Sequence, residues 1–292
     1  MTIMMKYLDY MKNEKKLTEN TLEAYIRDIQ QFKEYLIEHK IKDYNNTNKT
    51  VIITYLMDLQ RNGKATSTIS RNLASLRCFF QYLLNNNFVK EDPTLNLKSP
   101  KSEKKIPEIL TEDEVNILLS QPCANDFKGS RDKAMLELLY ATGLKVSEII
   151  SLDIEAIDLD LGILKVASND NNYRIIPIGS AAINALENYI ATYRPETDKK
   201  EALFINYSGC RLTRQGFWKI IKQYTKKSNI NKTITPHTLR HSFAVHLIEN
   251  GADIKTVQEM LGHSDVSTTQ IYSFASKDKE LRDVYFRAHP RA

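Results

Sequence analysis

The residues able to do chemistry gather near the end of the chain. His237, Thr238, Leu239, Arg240 and His241 run together, Leu261-Gly262-His263 follows, and Tyr272 comes nine residues after His263. Imidazoles, a guanidinium and a phenol around one phosphorus atom would make a phosphoryl-transfer site, with fixed cations and donors about a nucleophile. His237 and Arg240 stand three apart just inside a helix that Pro236 opens, so both project from the first turn of one face. A helix start already turns free N–H groups and a positive dipole end toward a phosphate, and the Arg fork adds a bidentate clamp. Burial accounts for Leu239, Phe243, Val245 and Leu247, which carry a core stripe, but not for the polar pair beside them. A metal is the competing use of His237 and His241, four apart. The Glu of a zinc-binding HExxH helix is missing, however, and no third ligand has a fitting spacing. Neither a metal nor a cofactor is expected. Any one of the 15 tyrosines is by itself a better core filler than a nucleophile; only its place in the ordered series singles out Tyr272.

These residues need a scaffold, and its elements can be read from spacing. In the first third, Tyr7, Leu8 and Met11 form one helical stripe, and Leu22, Tyr25, Ile26, Ile29, Phe32, Tyr35 and Leu36 form another, with Thr18 as its cap. A third helix is expected from about Thr50 to Leu59, stopped at Gly63, and a fourth from Ser67 to Leu84. Periodicity then vanishes between Asp92-Pro93 and Ile106-Pro107, where Pro, Ser and Lys dominate. The expected organisation is a helical domain over 1–90, a linker over 91–107 and a second domain over 108–292. In that second domain, Thr111 to Glu114 offers a capping box, and Arg131 to Thr142 a helix ended by Gly143. Gly162–Val166 and Tyr173–Ile178 should pair as a hairpin across Asn169-Asp170-Asn171-Asn172. Further helices are expected over Ala181–Tyr193, Arg214–Ser228, Pro236–Asn250 and Ile254–Leu261, and after Lys277.

Composition narrows the class. At 292 residues, 42% hydrophobic and 26% charged, the chain can fill two cores and lacks an apolar run long enough to span a bilayer. Its start lacks the pattern of an export signal, so a cytoplasmic protein without membrane contact is expected. Cys78, Cys123 and Cys210 are odd in number and far apart, which argues against disulfides and thiolate metal sites and reads as small apolar filler. The net charge of +5 is unevenly spread. Residues 1–105 hold 18 Lys and Arg against 12 Asp and Glu, and residues 106–292 hold 23 against 24. A solvated basic face and a nucleic-acid surface both fit that excess.

His-x-x-Arg, then Leu-Gly-His, then a Tyr nine residues on, resembles the signature of the tyrosine site-specific recombinases, the integrase family. Thr18-Glu19-Asn20-Thr21, Lys64-Ala65-Thr66-Ser67 and the closing His289-Pro290-Arg291-Ala292 resemble its bacterial Xer branch. The resemblance implies a mainly α fold with a small β-sheet: an N-terminal four-helix, SAM-like core-binding domain and an α+β catalytic domain, forming a C-shaped clamp around duplex DNA. It also implies that Tyr272 attacks the scissile phosphate to give a 3′-phosphotyrosyl link, without ATP or metal. Arg240 would neutralise the nonbridging oxygens, His237 would serve proton transfer and orientation, and His263 would donate to the phosphate. Lys64, Thr66, Ser67, Arg71 and Arg77, with Arg174 and His241 in the second domain, would contact DNA. The expected partners are double-stranded DNA with paired half-sites and three more protomers, identical or paralogous, in a cyclic tetramer. In that assembly the helix after Lys277 would dock on a neighbour. No arm-binding segment is expected before residue 1, which would favour the Xer branch over phage integrases.

Two positions depart from the family pattern. Ala141-Thr142-Gly143-Leu144-Lys145-Val146-Ser147-Glu148 matches the segment of the first catalytic Arg, but Lys145 stands where that Arg belongs and keeps the charge without the fork. In the hairpin the catalytic Lys lies five residues before an Arg that here is Arg174, and that position is Asn169. Lys165 is the nearest substitute, but four residues of extended strand put its backbone ~13 Å away. The sequence therefore admits an active recombinase, and as the alternative an impaired paralogue with an architectural or regulatory role on DNA.

Overall fold

Residues 3–15, 17–100, 107–167, 173–195, 202–262 and 288–291 are described in the computed structural model of the chain. They fall into two compact units, 1–105 and 106–292. Tyr272, His263, Asn169 and the segment from Lys277 to 287 lie outside the described residues. No helix among the described residues is long and apolar enough to cross a membrane.

In the first unit the apolar stripes become helices α1 (Ile3–Asn13), α2 (Glu19–Glu38), α3 (Lys49–Arg61) and α4 (Thr66–Asn85). Tyr7, Phe32, Tyr55, Phe79 and Phe80 fill the space between them. Their rings meet edge to face, as in Tyr7 on Phe79 at 5.0 Å and Phe32 on Tyr55 at 5.0 Å, the arrangement the ring quadrupole favours. A polar knot sits in this core. Asp28, 2% exposed, accepts from Asn72 Nδ2 at 3.1 Å and pairs with Arg71, and Tyr55 donates to Asn72 Oδ1 at 2.9 Å. Burial lifts the Asp28 carboxyl above its ordinary value against the pull of Arg71. Thr18 occupies the cap position of α2 without capping it; its hydroxyl bonds that of Thr21 at 2.9 Å. Helix α4 also begins without a side-chain cap.

The second unit is built on two helices buried on nearly every face, α6 (Phe127–Thr142) and α10 (Pro236–Glu249). Around them lie α5 (Glu112–Leu119), α7 (Val146–Ser151), α8 (Ser180–Glu187), α9 (Arg214–Ser228) and α11 (Ile254–Leu261). Thr111 and Glu114 form the expected capping box at α5. Helix α6 starts a turn before the expected Arg131, because Asp126 caps it at the Gly129 N–H, 2.6 Å away. Gly129 is required there, since a Cβ would fall 1.7 Å from the Cys123 carbonyl oxygen. Helix α8 loosens at Asn188–Tyr193 into a wider π-type turn, so one expected helix is two. Cys78 packs partly buried against the core of the first unit as small apolar filler, whereas Cys123 and Cys210 are exposed, which corrects that reading for these two.

Strands β1 (Ile157–Asp158), β2 (Ile163–Ala167) and β3 (Tyr173–Pro177) form an antiparallel sheet in the order β1-β2-β3. The register pairs Val166 with Arg174 and Lys165 with Ile175. Alternation therefore sends Arg174 to the face of buried Leu164, Val166 and Ile176, and Lys165 to the open face with Ile175 and Tyr173.

Candidate active site

The site is assembled from four stretches far apart in sequence. Pro236 opens α10, Thr235 caps it through the Thr238 N–H at 3.1 Å, and the helix carries His237, Arg240 and His241. Arg240 is 5% exposed, and two backbone carbonyls fix its guanidinium plane: Nη1 donates to Gly143 and Nη2 to Leu261, the latter at 2.7 Å. Gly143 is the C-cap of α6 and Leu261 the last residue of α11. The negative ends of two helix dipoles thus converge on one buried cation, which offsets the cost of removing it from water.

Both helices end in left-handed glycines, Gly143 at φ 59° and Gly262 at φ 63°. Close packing requires glycine as much as the backbone does. A Cβ on Gly143 would lie 2.4 Å from the Phe243 ring, and one on Gly262 would lie 2.6 Å from Arg174 Nη1. Arg174 reaches across from β3, donating through Nε to the Met260 carbonyl at 3.0 Å and through both Nη atoms to Glu148 at 2.9 and 3.0 Å. Glu148 also accepts the Lys145 N–H at 2.8 Å. Burial raises the Glu148 carboxyl, but the Arg174 fork and the Lys145 N–H overcome it, and its pKa lies below the ordinary value. Lys145 itself is exposed at the start of α7. The segment Ala141–Glu148 stood out in the sequence for Lys145; the role of Glu148 as the seat of Arg174 was not visible there.

His237 is exposed and His241 partly buried. Burial, then Arg240 and Arg214, lower the His237 pKa, so the ring is neutral at pH 7. Burial, then His237 and Arg240, bring His241 down to about 4. A neutral His237 is able to take a proton. The structure thus brings together Lys145, Arg174, His237, Arg240 and His241.

A pH dependence follows. His241 and His289 have folded pKa values of about 4 against 6.5 ordinarily. Where the unfolded chain binds protons that the folded chain does not, stability falls with falling pH. Their contribution is whole above pH 6.5 and is lost as the pH drops to about 4, on the order of 3 kcal/mol for a ring as buried as His289. Melting temperatures over this window should fall, and His241→Gln should flatten part of the slope; an unchanged slope in that variant would mean His241 titrates near its ordinary value.

In the first unit, Lys64, Thr66 and Ser67 are exposed at the uncapped start of α4. Arg71 and Arg77 are committed differently. Arg71 pairs with Asp28 and donates to the Ala24 carbonyl at 3.2 Å, and Arg77 donates to the Leu97 carbonyl.

The profile of the phage integrase family matches residues 108–279, and that of the phage integrase N-terminal SAM-like domain matches residues 4–87. The chain belongs to the phage integrase family. Within it, the chain is 47% identical over 294 residues to tyrosine recombinase XerD of Staphylococcus epidermidis (strain ATCC 12228 / FDA PCI 1200), covering 100% of this chain and 99% of that protein. XerD of Staphylococcus aureus (strain N315) is 46% identical with the same coverage. The resemblance to the Xer branch is therefore borne out. Among solved structures, XerA recombinase is 25% identical with a TM-score of 0.54, covering 99% of this chain and 98% of its own. XerH site-specific recombinase bound to a palindromic difH substrate, in a post-cleavage complex, shares the fold at a TM-score of 0.75 and 21% identity, covering 87% and 76%. A lambda integrase (75–356) dimer bound to a COC′ core site does so at 0.73 and 18%, covering 95% and 97%.

Proposed function

We propose that this chain is a site-specific DNA recombinase of the Xer type that cleaves and rejoins duplex DNA through a 3′-phosphotyrosyl intermediate. The observation that carries the reading is the cradle of Arg240, a buried guanidinium held rigid beside His237 and His241. The phenol of Tyr272 attacks phosphorus, a Tyr O–P bond forms and the P–O5′ bond breaks. Arg240 stabilises charge on the nonbridging oxygens without reorganising, because its plane is fixed in advance. Neutral His237 takes the phenolic proton, His263 donates to the phosphate, and the departing O5′ takes a proton from solvent to leave as the 5′ hydroxyl. The phosphodiester energy is kept in the protein link, so rejoining is the same step reversed with the 5′ hydroxyl as nucleophile. Arg174, seated on Glu148 and Met260, and His241 contact the DNA from the second unit. Lys64, Thr66 and Ser67 engage the backbone of the duplex from the start of α4. The working assembly is a tetramer on two DNA sites, each a pair of half-sites, built from this chain alone or with a second recombinase, in the cytoplasm.

The wild-type chain should form a denaturant-resistant adduct on a nicked suicide duplex carrying a site selected from genomic DNA. Its absence on every selected site would count against strand transfer. Binding should be strongly salt-dependent, and Lys64→Ala should weaken it evenly across sequences and reduce the salt slope by about 1. An unchanged slope would remove Lys64 from the interface.

A further inference from the structure

Residues 288–291 are seated inside the second unit. Ala288 and His289 are buried. Arg291 grips Glu137, in the middle of α6, through Nη2 at 2.5 Å and Nε at 2.8 Å, and donates to Asn116 Oδ1 at 2.9 Å. Glu137 is 1% exposed, and its other cation is Lys133, 2.9 Å away. Both nitrogens of His289 are engaged: Nδ1 accepts the Arg291 N–H at 3.2 Å, so Nε2 carries the proton and donates to the Tyr140 carbonyl at 3.3 Å. That pattern needs a neutral ring, and burial first, then His246 and Arg291, keep it neutral.

The seat leads toward the site. The His289 ring packs on Tyr140 at 5.0 Å and on Phe243 at 5.7 Å. Phe243 lies one turn beyond Arg240 on α10, and it is the side chain that a Cβ on Gly143 would strike. The Gly143 carbonyl in turn receives Arg240 Nη1. A chain of direct contacts therefore runs from Arg291 and His289 through Phe243 and Gly143 to Arg240.

We infer that His289 and Arg291 are positioning residues for strand transfer: wedged between α6 and α10, they hold Phe243 against Gly143 and so fix the carbonyl that orients Arg240. The inference rests on the reading of Arg240 as the phosphate clamp. A tail that only adds stability would lower melting temperature without a matching change in chemistry.

The test is single-turnover cleavage of the nicked suicide duplex by full-length protein at saturation, with half-site affinity measured alongside. Arg291→Ala and His289→Ala should each slow cleavage by about 10- to 100-fold, the scale of small misplacements of a clamp, with affinity within about twofold of wild type. Arg291→Lys, which keeps the charge on Glu137, should recover most of the rate. Lys133→Ala removes the other cation of Glu137 away from the tail and should lower melting temperature while leaving the rate within about twofold. Wild-type rates in both tail variants, or equal slowing in Lys133→Ala, would overturn the inference. If the wild-type chain gives no covalent product, strand transfer itself is refuted, and the positioning claim is then read by hydrogen exchange. Arg291→Ala should speed exchange of the Gly143 N–H, which bonds the Leu139 carbonyl at 2.9 Å, and unchanged exchange would overturn it.

Discussion

Tyr272→Phe should abolish the covalent protein–DNA product and leave half-site affinity nearly unchanged. The substitution removes one oxygen, the atom proposed to bond phosphorus, and neither Arg240 nor the His residues supply a replacement that yields a stable link. Affinity survives because it is the sum of many phosphate contacts, each reported as counterion release, and one hydroxyl adds little to that sum. The measurement is a denaturing gel of the suicide reaction beside a binding titration in the same salt. An adduct that persists in the variant would place the nucleophile elsewhere among the 15 tyrosines. Loss of binding together with the adduct would mean that Tyr272 supports the fold instead of the chemistry.

The parts of the fold that were legible are those written in side-chain spacing. Helix α10 could be placed because Pro236 opens it and the stripe from Leu239 to Leu247 follows, and Gly143 and Gly262 read as helix ends because left-handed backbone favours glycine. What holds Arg240 was illegible for a physical reason: its partners are carbonyls of Gly143 and Leu261, and a backbone acceptor has no side-chain signature. The seat of Arg174 on Glu148 was hidden by distance, 26 residues apart on a strand and a helix start. Arg71 and Arg77 carry bonds that spacing did not reveal. An arginine on a polar helix face reads as available charge, yet their partners, Asp28 and the Leu97 carbonyl, come from elsewhere in the unit and tie both to its framework. The early start of α6 was missed because its first turn carries Gly129 and Ser130, which read as a loop ahead of Arg131. Asp132 is fully buried and takes bonds from Arg131 at 2.7 and 3.0 Å and from Tyr224 at 3.0 Å.

Arg240 and Arg174 are preorganised by the carbonyls at the end of α11, whereas the side chain of Lys145 is exposed and only its backbone is fixed. This difference bears on how fast the chemistry runs. An ammonium on a flexible stem loses more freedom when it meets a phosphate oxygen than a planar fork does, and it offers a point charge where two parallel bonds would serve.

Lys145→Arg combined with Asn169→Lys should therefore raise the cleavage rate far more than it raises affinity. With Lys145 read as acting on the nonbridging oxygens and position 169 on the departing O5′, each restored contact should strengthen mainly as charge develops in the transition state. One such contact accounts for on the order of 10² to 10³ in rate. The double variant should exceed either single one, because clamping the phosphorane and protonating the leaving oxygen act on opposite sides of one transition state. Lys165 is a poor substitute for the missing donor, since its side chain points to the open face of the sheet with Ile175 and Tyr173 while Arg174 points to the other. Removing it should leave the rate of the wild-type chain unchanged. The check is single-turnover cleavage by the wild type, both single variants, the double variant and Lys165→Ala on one suicide duplex. If the wild type already cleaves as fast as the double variant, another group protonates O5′ and the assignment of position 169 is wrong; if Lys165→Ala is then the slow protein, that group is Lys165.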